Sequence, residues 1–298
     1  MNASYRPFPI PVVADLGPGS QDDETLDYMS MPKGMDTYRP PVLPEPEELA
    51  AHGLACEVLA AVLEAVNAAC EGRVPAPVRL DGLPASELAL VNQVLGEGEV
   101  SAQVLAQPET RLVGDEAVRV RMQESVFAGV WRVISTDDDG AVHDHVEVGA
   151  IPAALLHAAH DDGFAPREPL PPVPAELLNL PPILTELADQ RARWQPGDAA
   201  HVVNLTLLPL SPADIAHLDH QLGTGRVVIL SRGYGNCRIT DTRVPHTWRV
   251  VYYNSQDAVI LNTVEVSAIP EVACAAAEDL ADTAERLAEV LQWVAQGA

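Results

Sequence analysis

The sequence predicts an α+β protein of two tandem related units, each an antiparallel sheet with flanking helices, preceded by an extended N-terminal arm. Three observations lead to this prediction: a pattern repeated within the chain, alternating strand residues beside turns, and an early stretch rich in proline. With 298 residues, 47% of them hydrophobic, the chain is long enough for two cores of roughly 150 residues each. We expect the units to be related by an approximate two-fold axis.

The repeat consists of three stretches that each occur twice, in the same order. They are residues 80–100 and 207–227 at an offset of 127, Trp131-Arg132-Val133 and Trp248-Arg249-Val250 at 117, and 146–152 and 264–270 at 118. Each copy therefore predicts a short strand, a helix that ends at Gly-x-Gly, several antiparallel strands, and a helix that begins at an Ile-Pro pair.

The domain boundaries follow from this repeat. We predict an extended, acidic, proline-rich arm over 1–46, a first unit over 47–162, a proline-rich linker over 163–181 and a second unit over 182–298. Helices are expected at 47–71, 182–194 and 270–296. Ser211 before Pro212 is a favourable N-cap with proline at the first helical position.

The arm has prolines every few positions and almost no periodicity, which favours extended backbone. Its methionines Met29, Met31 and Met35 could anchor it in a groove. The simpler interpretation is a tail that lies over its own domain, because chain termini are commonly ordered only by docking.

Composition excludes several classes of partner. A net charge of −25 argues against binding to nucleic acid or to anionic membrane surfaces, whereas basic peptides or proteins fit it. We see no secretory signal and no run near the ~18 apolar residues of a membrane span, so we expect a cytoplasmic protein without membrane insertion. Cysteines 56, 70, 237 and 274 contain no CxxC pair and fit free thiols in a reducing compartment.

One stretch, residues 230–272, differs from the rest of this acidic chain. It contains four aromatic residues within 20 positions, in a protein with only 4% aromatics: Tyr234, Trp248, Tyr252 and Tyr253. Residues 226–270 also have five arginines against three acidic residues, and so a local charge of +2. We expect this near-neutral aromatic stretch to have a different role from the acidic surface elsewhere.

The two copies differ most within this stretch. The second copy reads SRGYGNCRITDTRVPHTW, and the longer first copy lacks these glycines, the tyrosine and the cysteine. Because both copies need the shared scaffold, a feature of one copy alone is a candidate for function, although Gly233 and Gly235 could equally serve only a hairpin turn. The candidate partner-binding residues are Arg232, Gly233, Tyr234, Gly235, Asn236, Cys237, Arg238, Trp248 and Tyr253.

Cys237 has two interpretations. It could be a semi-exposed thiol whose thiolate is favoured by Arg232 and Arg238, or a small buried strand residue. A single thiol cannot hold a metal ion, and the nearby histidines lack partners at the usual spacing. No P-loop, GxSxG or HExxH motif occurs, so the sequence predicts no catalytic residue, no metal site and no cofactor.

The stretch GYGNCRITDTRVPHTWRVVYYNSQDAVILNTVEVSAIPEV, with the preceding HVVNLTLLPLSPADIAHLDHQLG, resembles the C-terminal domain of the HupH/HyaF hydrogenase expression and formation proteins. GPGSQ, the Met31-Pro-x-Gly-Met35 run and the acidic proline-rich segment after it are similar to the N-terminal arm of that family. Gly233 to Arg238 match its most recognisable motif, and the family has no established catalytic residues to transfer.

The resemblance implies an accessory protein of [NiFe]-hydrogenase maturation. In this family the role is generally assembly or quality control of the iron–sulfur small subunit before export by the twin-arginine route. We therefore expect a non-catalytic chaperone that binds the small-subunit precursor, and possibly other hydrogenase accessory proteins, through residues 231–253. The alternative is a thiol-dependent carrier of iron–sulfur or metal that uses Cys237.

Overall fold

The computed structural model of the protein describes residues 52–106, 118–233 and 235–297. The predicted N-terminal arm, with its three methionines, and Tyr234 at the candidate site lie outside these described residues.

Both repeats fold as a helix, a strand, a second helix, four strands and a third helix. The first contains α1 (Gly53–Cys70), β1 (Val78–Arg79), α2 (Ala85–Leu95), β2 (Val100–Leu105), β3 (Val118–Glu124), β4 (Val130–Thr136), β5 (Val142–Val148) and α3 (Ala153–Phe164). The second contains α4 (Leu180–Arg193), β6 (His201–Asn204), α5 (Pro212–Leu222), β7 (Val227–Ser231), β8 (Asn236–Asp241), β9 (Thr247–Tyr253), β10 (Val259–Val266) and α6 (Ala277–Gly297). The shared order confirms the predicted duplicated α+β fold.

The strands of each repeat have the same neighbours. The order is β1-β5-β4-β3-β2 in the first repeat and β6-β10-β9-β8-β7 in the second. Register is repeated as well: Val133 lies opposite His145, and its counterpart Val250 lies opposite Thr263. The approximate two-fold axis between the units stays a prediction.

Helix ends differ from the predicted ones where proline intervenes. The last helix begins at Ala277 instead of 270, because Glu271–Ala273 form a separate 3-10 turn after Pro270. Helix α4 begins two residues earlier than predicted, with prolines in its first turn, where a missing N–H costs nothing. Helix α5 has the predicted cap: the Ser211 hydroxyl accepts from the Asp214 N–H, and the Asp214 carboxylate accepts from the Ser211 N–H.

The last helix of the chain packs on the core of the first repeat. Leu287 and Val290 of α6 lie in one buried cluster with Leu59 and Val62 of α1. Fully burying a leucine contributes about 1.5–3 kcal/mol, so this contact is a substantial part of the core. Thr283 of α6 also donates a hydrogen bond to the Ala128 carbonyl at 3.0 Å.

Helix α3, the last helix of the first repeat, joins the core of the second in the same way. Its Asp162 accepts from the Arg226 N–H and Nε at 2.6 and 2.7 Å, just before β7. Gly163 lies so close to Pro245 that a Cβ there would be 2.9 Å from the proline Cα. Each compact unit thus combines most of one repeat with the terminal helix of the other. Sequence repeats and compact units therefore have different boundaries at their last helices.

Helix α1 is long and apolar enough to meet the criteria for a membrane span, although the sequence was expected to contain no such run. Its Leu59, Val62 and Val66 are buried in the core cluster that also holds Leu287. The apolar composition of α1 is therefore explained by packing against α6, as in the core helix of a globular domain.

Candidate partner-binding site

The stretch singled out in the sequence is the β7–β8 hairpin and the adjoining strand β9. Register in the hairpin is fixed by antiparallel pairs from Val228 opposite Thr240 to Ser231 opposite Cys237. Buried residues on both strands hold the hairpin to the sheet, including Ile229 and Ile239. The described residues of the connection, 232, 233 and 235, therefore adjoin strands that are anchored in the sheet.

Backbone conformation accounts for one of the two glycines in the hairpin connection. Gly235 has φ of 101°, a region in which residues with a side chain are strained. Gly233 is not among the residues with positive φ, and it forms an isolated bridge with Gly235. The turn thus requires glycine at position 235, whereas backbone geometry gives no such reason for Gly233.

The predicted site residues separate into exposed and buried groups. Arg232, Gly233 and Gly235 are exposed, and we call these three residues the hairpin tip. Asn236 and Arg238, at the start of β8, are half-buried. The tip therefore presents a cation and open backbone to the surroundings of the protein.

Cys237 lies inside the protein instead of at its surface, with 1% of its area exposed. Burial raises the pKa of its thiol to about 12, against the smaller opposite effect of a hydrogen bond with Tyr252, and the Glu265 carboxylate raises it further. The interpretation as a semi-exposed thiolate near two arginines is therefore not what the structure shows. Arg238 neighbours Cys237 in sequence but points to the opposite face of β8, because strand side chains alternate.

Trp248 and Tyr253 of β9 also lie mostly within the fold. Trp248 is 2% exposed, and its counterpart Trp131 is equally buried, with its Nε1 donating to the Gly149 carbonyl at 3.0 Å. A buried tryptophan present in both repeats belongs to the shared scaffold. Tyr253 is half-buried beside Arg238, and burial raises the pKa of its phenol.

An exposed apolar surface near β6 was missed by sequence reasoning. Val202, Leu207 and Ile260 are 50%, 80% and 57% exposed. The backbone N–H of Asn262 on β10 donates to the Thr206 hydroxyl, which ties the loop after β6 to the sheet. The sequence did contain a signal, the run HVVNLTLL over 201–208. An edge strand buries only one face, so a run this rich in apolar residues leaves some of them exposed. We call these three residues the apolar edge.

The described residues contain no group of three or more His, Cys, Asp or Glu side chains placed to hold a metal ion. The second repeat offers instead a cationic tip on a fixed hairpin and, beside β6 at one end of the strand order, the apolar edge. Both are features of the second repeat. The fold defines a duplicated α+β protein whose second copy has an exposed cation on its hairpin tip and exposed apolar side chains beside β6.

Comparison with known proteins gives the family. The model of the HupH hydrogenase expression protein C-terminal conserved region matches the chain twice, over residues 54–165 and 177–294. The chain therefore belongs to the family of HupH hydrogenase expression proteins, and the double match agrees with the repeat seen in its sequence.

Relatives of similar length support this assignment. The chain is 54% identical to hydrogenase expression/formation protein HoxQ of Cupriavidus necator, over 96% of this chain and 98% of that one. It is 45% identical to hydrogenase expression/formation protein HupH of Rhodobacter capsulatus, over 96% of this chain and 98% of that protein. It is 32% identical to hydrogenase-1 operon protein HyaF of Escherichia coli, over 95% of this chain and 96% of that protein. The solved structure of hydrogenase expression protein HupH from Thiobacillus denitrificans is 31% identical, covers 38% of this chain and 93% of its own, and aligns with a TM-score of 0.35.

Proposed function

We propose that this protein acts in hydrogenase maturation as a non-catalytic chaperone for the iron–sulfur small-subunit precursor. It would bind the precursor in the cytoplasm, before twin-arginine export. The names of its relatives support the general role, since they are hydrogenase expression and formation proteins. The resemblance supports the choice of client, and the surfaces described above support the proposed mode of binding.

The observation that carries the proposal is the exposure of the hairpin tip, which belongs to the Gly-Tyr-Gly-Asn-Cys sequence that the first copy lacks. Arg232 and the two glycines are exposed on a hairpin whose strands are anchored by buried side chains. A contact surface on rigid strands loses little conformational entropy when a partner binds. Exposed glycine backbone also offers N–H and C=O groups to an extended segment of the partner.

The apolar edge would extend this contact. Strand β6 ends the strand order, with β10 as its neighbour, and Val202 on it is half exposed. An edge strand of this kind can pair with an extended peptide, while exposed apolar side chains bury part of it. An incompletely folded precursor has segments that fit such a surface.

Charge supplies the long-range part of the interaction. The protein has a net charge of −25, and a precursor with arginines in its signal peptide would be attracted to it before contact. Steering of this kind increases the association rate more than it strengthens the final complex.

The thiol carrier is not supported by the position of Cys237. A carrier thiol must reach its cargo as thiolate, whereas this thiol is 1% exposed and has its pKa raised to about 12. We therefore do not propose the carrier as a second function.

The proposal is tested by co-purification from cells that produce the small-subunit precursor. We expect wild-type protein to retain the precursor, and the tip variant Arg232→Glu and the variant Tyr234→Ala, which changes the residue between the two tip glycines in sequence, to lose most of it. Arg79→Glu is a matched control, because Arg79 is an arginine of the first repeat with 80% of its side chain exposed. Equal recovery with Arg232→Glu, with Tyr234→Ala and with the control would exclude the tip as the binding site.

A further inference from the structure

Three arginines lie close together without an acidic partner: Arg167 of the linker, and Arg191 and Arg243 of the second repeat. Among the described residues, no carboxylate lies within ion-pair distance of any of them. Most other described arginines do have one: Arg73, Arg79, Arg119, Arg132, Arg193, Arg226, Arg249 and Arg286. In a chain of net charge −25, three neighbouring unpaired cations form an unusual group. We call it the arginine cluster.

Two of the three arginines are held by backbone carbonyls, and Arg167 is held mainly at the C-terminal end of α5. Arg167 donates to the carbonyls of Gln221, Leu222 and Arg243 at 3.1–3.2 Å. The Arg243 guanidinium donates in return to the Pro166 carbonyl at 3.3 Å. These bonds involve neutral carbonyls, so they orient the Arg167 and Arg243 guanidinium groups but leave the positive charges without a counterion.

The Arg167 and Arg243 side chains meet at Gly223, where an added Cβ would lie 3.2 Å from both Nη2 of Arg167 and Cβ of Arg243. Burial lowers the pKa of Arg167, and the positive charges of Arg243 and Arg191 lower it further. Burial also lowers the pKa of Arg191. Like charges in a partly dehydrated position destabilise one another, and an anion bound between them would remove that cost.

Aromatic rings lie beside the cluster. Trp194, three residues after Arg191, stacks on His246 with ring centroids 4.2 Å apart, and Phe164 meets His246 edge-on at 5.8 Å. His246 has φ of 54°, in the left-handed region that residues with a side chain adopt less often, so the turn gives this ring a defined position. Burial lowers the pKa of His246, and His160 lowers it further, so the ring is neutral at pH 7.

Cations beside apolar rings suit one class of ligand, a peptide segment with several carboxylates and an apolar side chain. Guanidinium groups bind carboxylates through paired, charge-assisted hydrogen bonds, and the rings bury the apolar part. Residues 7–32 of this chain have that chemistry: they contain five acidic residues, no lysine and no arginine, and they end in Tyr28-Met-Ser-Met31. The acidic residues are Asp15, Asp22, Asp23, Glu24 and Asp27.

We propose that the arginine cluster, with Trp194 and His246, binds the acidic segment 15–27 of the N-terminal arm of the same chain. An acidic partner in solution would be repelled by a protein of net charge −25, whereas a tethered segment is present at high effective concentration. The acidic segment can reach the cluster, because the 24 residues between Asp27 and His52 span up to about 80 Å when extended. This inference is independent of the client proposed above.

Hydrogen exchange of the full chain tests the proposal. We expect amides of 15–31 to be protected in wild type and to exchange about tenfold faster in Arg191→Glu/Arg243→Glu. Arg193→Glu is the matched control on the same helix, because Arg193 already pairs with Asp189 at 2.8 Å. Adding Asp22→Arg, Asp23→Arg and Glu24→Arg to the double variant should restore protection by exchanging the charges.

Three results would overturn the proposal: no protection of 15–31 in wild type, protection unchanged in the double variant, or no recovery on charge exchange. A synthetic peptide of residues 13–31 distinguishes the tethered segment from a free ligand. A site filled by its own arm binds this peptide weakly, so tight binding to the full wild-type chain would also contradict the proposal.

Discussion

Arg249 on β9 donates from Nε to Oδ1 of Asp219 on α5 at 3.1 Å, with both side chains almost completely buried, at 2% and 1% exposed. The same guanidinium donates to the side-chain carbonyl of Asn262 on β10. One carboxylate and one amide thus hold the arginine between the helix and the sheet. A buried guanidinium with only neutral partners would be costly.

The first repeat has the same arrangement with the two partners exchanged. Arg132 donates to Asp144 on β5 at 3.0 and 2.6 Å, and to the Asn92 amide oxygen on α2 at 2.7 Å. Asn92 occupies the position of Asp219, and Asp144 that of Asn262, at the offsets of the sequence repeat. Each arginine therefore keeps a single negative partner, on the helix in one copy and on the strand in the other.

The swapped positions of the carboxylate and the amide lead to a prediction about stability. Asp219→Asn should lower the free energy of unfolding by about 3–5 kcal/mol, because it leaves a buried guanidinium without a counterion. Adding Asn262→Asp should recover most of the loss, since the double variant has the partners of the first repeat. Urea unfolding of the three proteins measures both effects. A double variant no more stable than Asp219→Asn would show that the two positions are not equivalent.

A second prediction concerns pH. Burial raises the pKa of Glu124 to about 7, with the Gly129 N–H opposing and Glu99 and Asp279 adding to the rise. A carboxyl group with a raised folded-state pKa binds its proton more tightly when folded, so its contribution to stability is lost as pH rises from about 4.5 to 7. Glu124→Gln keeps the oxygen that accepts from Gly129 and should remove up to about 3 kcal/mol of this loss.

Unfolding free energies of wild type and Glu124→Gln between pH 5 and pH 8 test this expectation. The variant should match wild type near pH 5 and be more stable above pH 7. Glu285→Gln, an exposed change on α6, serves as the control. Parallel stability curves for Glu124→Gln and wild type would contradict the raised pKa.

A third prediction concerns the thiols. The buried Cys237, with its pKa raised to about 12, should resist iodoacetamide at pH 7.5, whereas the exposed Cys70 should react. Mass spectrometry of the native protein gives both rates, and denaturant should make Cys237 reactive. Iron or zinc on anaerobically purified protein that is lost in Cys237→Ser would revive the carrier hypothesis.

A fourth prediction follows from the net charge. If the acidic surface steers the precursor, the association rate should fall about tenfold or more between low and physiological salt, while the dissociation rate changes little. Stopped-flow or surface-based kinetics at several salt concentrations separate the two rates. A salt effect confined to the dissociation rate would count against steering.

The duplicated fold was predictable because its signals are local. Hydrophobic spacing, the Gly-x-Gly stops and the Ile-Pro pairs occur twice in the same order, and each specifies an element from a few neighbouring residues. The Ser211 cap was predicted for the same reason. Strand alternation also places Cys237 on the face of Ile239, opposite Arg238, so its burial could have been inferred from that pattern.

Features that join distant parts of the chain were not predictable in this way. Nothing in the sequence of α6 indicates that Leu287 packs with Leu59, more than 200 positions away, because an amphipathic helix fits any apolar surface of the right shape. The arginine cluster likewise draws on three separate elements. Exposure of the apolar edge depends on which strand ends the sheet order, which local patterns do not specify.

The most direct test of the account is the dissociation constant of the purified small-subunit precursor for wild-type protein, Arg232→Glu, Tyr234→Ala and the control Arg79→Glu, measured at one salt concentration. We predict that Arg232→Glu and Tyr234→Ala each weaken binding at least tenfold, about 1.4 kcal/mol, and that Arg79→Glu leaves it within twofold of wild type. Wild-type affinity in both Arg232→Glu and Tyr234→Ala would contradict the claim that the hairpin tip binds the client.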